Sequence, residues 1–305
     1  YASAADKNYA NSFHGRTALR LLRPHNILNW ITQNKSDIAL FNNQNKYVGK
    51  IATDDKGNIA IGKDVAYPHS SPNNVSYSIF IGKNAGYRLN PVSNQSYNAV
   101  IGYSAAANGA HVGQNNVIIG SKSAYGSTVA NRNVFIGPYA AYTGYGAFSG
   151  YSVAIGAYSM YNAPSENSVN VGYYAGAYAT HNNGLYYNLI NLGAYSGYGS
   201  AVNVNNANYS NVNIGVRAGS GVNKIYGNTV NVGYYSGYNS VLTGVNIGLY
   251  SGSNYNGDYW GNDYFINIGW YAGAKTLDMG KTNDTINIGS FAGYGAQNEG
   301  SIHIG

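Results

Sequence analysis

The chain contains no cysteine, which excludes disulfides and thiolate metal sites from the outset. Charge is almost as scarce: 9% of the 305 residues are Asp, Glu, Lys or Arg, against roughly 25% in a typical soluble domain. Proline contributes only 6 residues and glycine follows no strict three-residue period, so the chain is not collagen-like. No apolar run approaches the length of about 18 residues that a membrane-spanning helix needs. A formal charge of +6 and a pI near 9.1 invite a nucleic-acid reading, but its distribution argues against one. Residues 1–57 carry 8 Lys/Arg against 4 Asp/Glu, while residues 58–305 carry 9 against 7 and hold no basic cluster to follow phosphates. What is abundant is glycine, with 41 residues, and tyrosine, with 33. Aromatic residues make up 14% of the chain, which is not the composition of a disordered segment.

The residues are organised by a repeat. A core ending in apolar-Gly recurs 14 times, from NIAIG at Gly62 through SVAIG at Gly156 and NVNIG at Gly215 to SIHIG at Gly305. The first and last glycines are 243 residues apart, a mean spacing near 19, with individual spacings of 15 to 22. Counting from the glycine, position −3 is Ile or Val in every copy except Ala99, and position −1 is always Ile, Val or Leu. These two side chains share one face of a strand, since strand side chains alternate. β-Branched residues suit a pleated, packed surface, so the pairs are expected to pile into a buried aliphatic spine. The glycine permits a bend or a close backbone approach. Small residues follow it, as in YYAG at 173–176 and WYAG at 270–273, and mark a tight corner. The length variation collects in polar stretches between units, as expected of loops.

One such unit cannot bury its own apolar face, but a stack shares a continuous core. The expected fold is all-β, a parallel β-solenoid or β-roll rod of about 14 repeats, each of ~19 residues, over residues 58–305. At about 4.8 Å per layer the rod would be roughly 65 Å long. Residues 1–57 lack the repeat and read as a cap or docking segment. Within them, Arg16–Gln33 is apolar but interrupted by Pro24, and SDIALFNNQNKYVGK reads as two strands around a turn. The chain opens at Tyr1 rather than Met, which points to a processed or excised piece. It stops at Gly305, at a bare repeat end, so either a C-terminal domain has been removed or a neighbouring molecule covers the edge.

Two columns change character along the rod. Position −2 is apolar in the first six copies, at Ala60, Phe80, Val100, Ile118, Phe135 and Ala154. It is then Asn in seven successive copies, Asn170, Asn191, Asn213, Asn231, Asn246, Asn267 and Asn287, before His303. Seven amides in register suggest a hydrogen-bonded ladder; the alternative is that Asn is merely tolerated at a solvent-facing site. Position +2 is aromatic in eight of the nine copies from Gly137 to Gly289, at Tyr139, Tyr158, Tyr174, Tyr195, Tyr235, Tyr250, Tyr271 and Phe291, with Arg217 the exception. That stripe reads as a stack of rings along the rod or, alternatively, as a sugar-binding or adhesive track.

The units NSVNVGYYAG, NAVIGYSAAANG and SVAIGAYS resemble the repeats of trimeric autotransporter adhesin heads of the YadA type, and also the IGxxAG repeats of bacteriophage tail fibres. The resemblance covers residues 58–305 and implies a left-handed β-roll, a parallel homotrimer and attachment to a cell surface. Adhesin-head repeats are shorter than this unit, so one chain alone can also be expected to complete a rung.

No catalytic constellation can be named. The six histidines, His14, His25, His69, His111, His181 and His303, occur singly, and no metal spacing such as HExxH is present. Asp258 and Asp263 read as solvated loop charges rather than a cation site, and Asn74, Asn94, Asn208 and Asn283 fit N-x-Ser/Thr by composition. No cofactor and no metal are expected, and the chain is read as non-enzymatic. The expected function is a structural fibre or adhesin, extracellular, cell-surface or virion-borne, with a cell-surface glycan or protein bound through loops such as 177–188, 199–210 and 253–263. The alternative is a self-assembling subunit of an extracellular filament, stacked head to tail.

Overall fold

A computed structural model describes residues 38–42, 44, 46–53, 56–65, 75–87, 96–108, 111–143, 147–148, 150–163, 167–181, 188–202, 210–221, 228–240, 243–254, 264–275, 284–296 and 300–305. Segment 16–33, Asp258, Asp263 and the four N-x-Ser/Thr asparagines lie outside these residues. Among the described residues the chain is all-β, with no helix, and forms a parallel β-solenoid with a spacing of about 19 residues.

Among the described residues the main sheet has sixteen strands. It starts with β1 (Ile38–Phe41) and β2 (Tyr47–Thr53), a hairpin whose turn is closed by the Asn42 carboxamide, which accepts the backbone N–H groups of Gln44 and Lys46 at 3.0 and 2.9 Å. β2 pairs antiparallel with β3 (Ile59–Gly62), and from β3 onward every pairing is parallel. The later strands each end at or just before a bend glycine, for example Ile79–Ile81, Val134–Ile136, Val169–Val171, Thr229–Val232 and Thr285–Ile288. Register is conserved throughout: equivalent positions pair, as in Val169↔Ile190, Asn170↔Asn191 and Val171↔Leu192.

After the glycine the backbone alternates between negative and positive φ. Positions +2, +4 and +6 are left-handed, as at Tyr174 (φ 54°), Gly176 (φ 63°) and Tyr178 (φ 54°). The result is a chain of β-turns that hydrogen-bonds both ways along the rod. The Tyr174 N–H donates to the Ala157 carbonyl of the previous turn at 3.0 Å, and the Gly176 N–H to the Ser196 carbonyl of the next at 2.8 Å. The corner thereby satisfies its backbone groups without being a strand.

The interior differs from the sequence-based expectation in one respect. The aliphatic pairs at −3 and −1 do not form a buried spine; they lie on the outer face of the coil, half-buried to exposed, with Ile247 at 39% and Ile268 at 37%. Position −2 points inward instead, and Val100, Ile118, Phe135 and Ala154 are fully buried. Alternation was read correctly, but the inside was assigned to the wrong face. The physical reason is packing across the coil. The inward face of each strand is the one carrying positions −4 and −2, and position −2 is met from across by position +4 of the same turn. The two positions are complementary in size: Phe135 faces a turn carrying Ala141, Ala154 one carrying Met160, and each asparagine a glycine.

Among the described residues the contiguous apolar cluster lies in the first half, from Ala52 to Met160. There a three-stranded parallel sheet, His111–Val112, Thr128–Val129 and Ala147–Phe148, supplies a second wall, and Phe148 meets Phe135 edge-on at 5.2 Å. A second polar column, which the sequence reading passed over, stands at −4. Asn58, Asn98, Asn116 and Asn133 are buried, and their side-chain oxygens accept the backbone N–H groups of Ser78, Asn116, Asn133 and Ser152 in the next turn at 2.8 to 2.9 Å. The leading N or S of NVIIG, NVFIG and SVAIG was the available signal.

Candidate functional site

Two columns of side chains run along the second half of the coil, one inside and one outside. The inner one is built by the seven asparagines at −2, all buried. From Asn191 onward each Nδ2 donates to the Oδ1 of the asparagine one turn earlier. The bonds are Asn191 to Asn170 at 2.6 Å, Asn213 to Asn191, Asn231 to Asn213 and Asn246 to Asn231 at 2.8 Å, Asn267 to Asn246 at 2.7 Å and Asn287 to Asn267 at 2.8 Å. Asn287 Oδ1 accepts no hydrogen bond, because His303 occupies the next register position. Glycine at +4 makes the ladder possible: a Cβ on Gly237 would sit 2.1 Å from Asn231 Oδ1. Where the sequence changes to Asn at −2, it changes to Gly at +4 from Gly176 onward.

The outer column is formed at +2. Tyr139 and Tyr158 stack with centroids 5.0 Å apart and planes 3° off parallel, Tyr158 and Tyr174 at 4.6 Å and 2°, and Tyr174 and Tyr195 at 5.4 Å and 5°. The Arg217 guanidinium then lies over Tyr195 at 5.4 Å and Tyr235 at 5.3 Å, replacing a ring by a cation–π contact. Beyond it Tyr235, Tyr250, Tyr271 and Phe291 continue the column with centroids 5.1, 4.8 and 5.3 Å apart. At the front, Lys122 Nζ sits over Tyr139 at 5.4 Å.

Every one of these residues holds a left-handed φ between 54° and 60°. That conformation costs a side chain about 1–2 kcal/mol, and a stacked pair returns about 0.5–1.5 kcal/mol beyond its burial. An adjoining column at +5 stacks in the same way, Tyr125 on Tyr142 at 5.7 Å and Tyr142 on Tyr161 at 5.1 Å. Tyrosines at +1 and +6, such as Tyr173 and Tyr178, pack edge-on or tilted against the two columns. The +5 column was not singled out from the sequence, although a tyrosine three residues after the +2 ring was its signal.

Packing among rings removes water from these phenols. This loss of hydration, with neighbouring phenols adding to it, raises the pKa of Tyr161, Tyr173, Tyr174 and Tyr250 above the ordinary 10.0. The charge of Tyr139 raises Lys122, and a hydrogen bond with Tyr294 raises Lys275. In each case the folded chain holds its proton more tightly than the unfolded one. The stability these groups contribute is therefore complete below pH ~10 and is lost as pH rises through their higher folded values. Alkaline unfolding followed by circular dichroism, with tyrosinate absorbance in parallel, is expected to show a loss of structure that begins above pH ~10 and coincides with titration of the stacked phenols. Flat stability through that range would remove the stacks from the account of folding.

The column turns its ring faces onto one another, so it offers ring edges and hydroxyls outward rather than faces. Among the described residues no group of three or more His, Cys, Asp or Glu comes together, and no helix is long and apolar enough to cross a membrane. Of the loops considered for binding, residues 182–187, 203–209 and 255–263 lie outside the described residues. No protein-family model, curated protein or solved structure matches the chain.

Proposed function

We propose that the chain is the shaft of an extracellular or virion-borne fibre or adhesin, with fourteen rungs over residues 58–305 and an end piece over residues 1–57, and that it works as an assembly of its own copies. The observation that carries this reading is the outward aliphatic face. Positions −3 and −1 are Ile, Val, Leu or Ala in every copy, without one charge, and half-buried to exposed side chains of the two columns lie in register from Ile79 to Ile304. Contiguous apolar surface of this extent is the mark of an interaction site. A periodic surface is best matched by the same surface on another copy, which also suits the homotrimer that the repeat resemblance implies.

Mass measurement and electron microscopy of the purified chain test this. Discrete trimers are the expected result, open end-to-end polymers would favour the filament, and a stable monomer would end the proposal. A single charge on the face sharpens the test. Ile247→Asp is expected to leave the circular dichroism of the coil intact, because the side chain points outward, and to weaken association about a hundredfold, ~3 kcal/mol, by burying an unpaired carboxylate.

A further inference from the structure

The stacked tyrosines hold reactive carbons of neighbouring turns in fixed register. Tyr158 lies against Tyr139 on one side and Tyr174 on the other, with planes within 3° of parallel and centroids at 5.0 and 4.6 Å. The second stack repeats this at Tyr250 and Tyr271, 4.8 Å and 5°. The chain also lacks the usual sinks for oxidising equivalents: it has no Cys, 2 Met and 3 Trp, against 33 Tyr. One-electron oxidation of this protein therefore falls on phenols, and a phenol oxidised within a stack already has a second ring against its face.

We propose that the two stacks are modification sites, at which a peroxide-dependent one-electron oxidant joins tyrosines of adjacent turns through carbon–carbon bonds between ring positions ortho to the hydroxyls. Each ring loses one electron and its hydroxyl proton, and the two ortho carbons form the new bond. The hydrogen on each of those carbons then moves to the oxygen and restores the phenol. Hydrogen peroxide takes up the two electrons and two protons and leaves as two waters. Such bonds would link turns covalently in a chain that has no disulfide available. Arg217 does not take part in this chemistry, so it divides the column into two independently coupled segments.

The experiment treats the purified full chain with hydrogen peroxide and a catalytic amount of a haem peroxidase and maps crosslinked peptides by mass spectrometry. Links Tyr139–Tyr158, Tyr158–Tyr174 and Tyr250–Tyr271 are expected within single molecules, and none joins Tyr195 to Tyr235. Tyr158→Phe is expected to lose both of its links and keep Tyr250–Tyr271. Phenylalanine already stands in the column at Phe291, so the coil tolerates this change. Arg217→Tyr is expected to gain links to Tyr195 and Tyr235. Products formed only between molecules, links chiefly between rings that do not touch in the coil, or an unchanged pattern in either variant would overturn the proposal.

Discussion

Gly172→Ala is expected to destabilise the coil by roughly 3–5 kcal/mol, a large share of the ~5–15 kcal/mol that holds a domain together. Two costs combine at this position. The backbone holds φ +141°, where a side chain is strained, and an added Cβ would lie 2.5 Å from the Gly193 carbonyl oxygen and 2.6 Å from its carbon. Neither atom can retreat, because the Gly193 backbone is hydrogen-bonded in register to the same sheet: its N–H donates to the Val171 carbonyl at 2.9 Å. The comparison is Gly199→Ala, at φ +63° with nothing within 4 Å of the added carbon. There only the left-handed backbone matters, and about 1 kcal/mol is expected. Urea unfolding of both variants, followed by circular dichroism, decides the point. Equal losses would mean that the bend glycines are chosen for conformation alone and not for the close approach of successive turns.

Asn231→Ala carries the second large effect, ~2–5 kcal/mol. It strips Asn213 Oδ1 of its donor and Asn246 Nδ2 of its acceptor, both buried, and leaves them without water. Asn170→Ala removes only the bond from Asn191 and is expected to cost about half as much. That gradient between the middle and the end of the ladder separates a cooperative amide column from seven independent polar residues, for which position would not matter. Hydrogen exchange would add a spatial readout, since the turns on either side of position 231 should lose protection before those near Phe135. A larger apolar replacement does not rescue the site, because Gly237 packs against the amide and leaves no volume for it.

The strands themselves were legible in the chain. The spacing of the bend glycines and the two-residue alternation before them located the strand positions and their pairing partners, and the apolar-to-Asn change at −2 was visible by inspection. The inside of the coil was not legible in the same way. Ile and Val at −3 and −1 are the most apolar residues of each unit, so placing them inside follows the usual rule, yet Ile266 and Ile288 face outward while the amides of Asn267 and Asn287 are buried. Apolar residues at the surface are ordinary, and that rule runs in one direction only. The informative signal was a covariation within the unit, Asn with Gly and Ala154 with Met160, which acquires meaning once −2 and +4 are known to meet.

By itself the sequence determined the period, the sites of the strands, the need for glycine at each bend and the absence of any disulfide, because each depends on a few neighbouring residues and on backbone sterics. Only the tertiary structure decided which face of each strand is interior and which rings and amides touch. Both depend on where the chain returns after its corner. The corner's alternating backbone brings +4 back over −2 and sets equivalent residues of successive turns side by side, so the face carrying −2 becomes the interior and the aliphatic pairs turn outward.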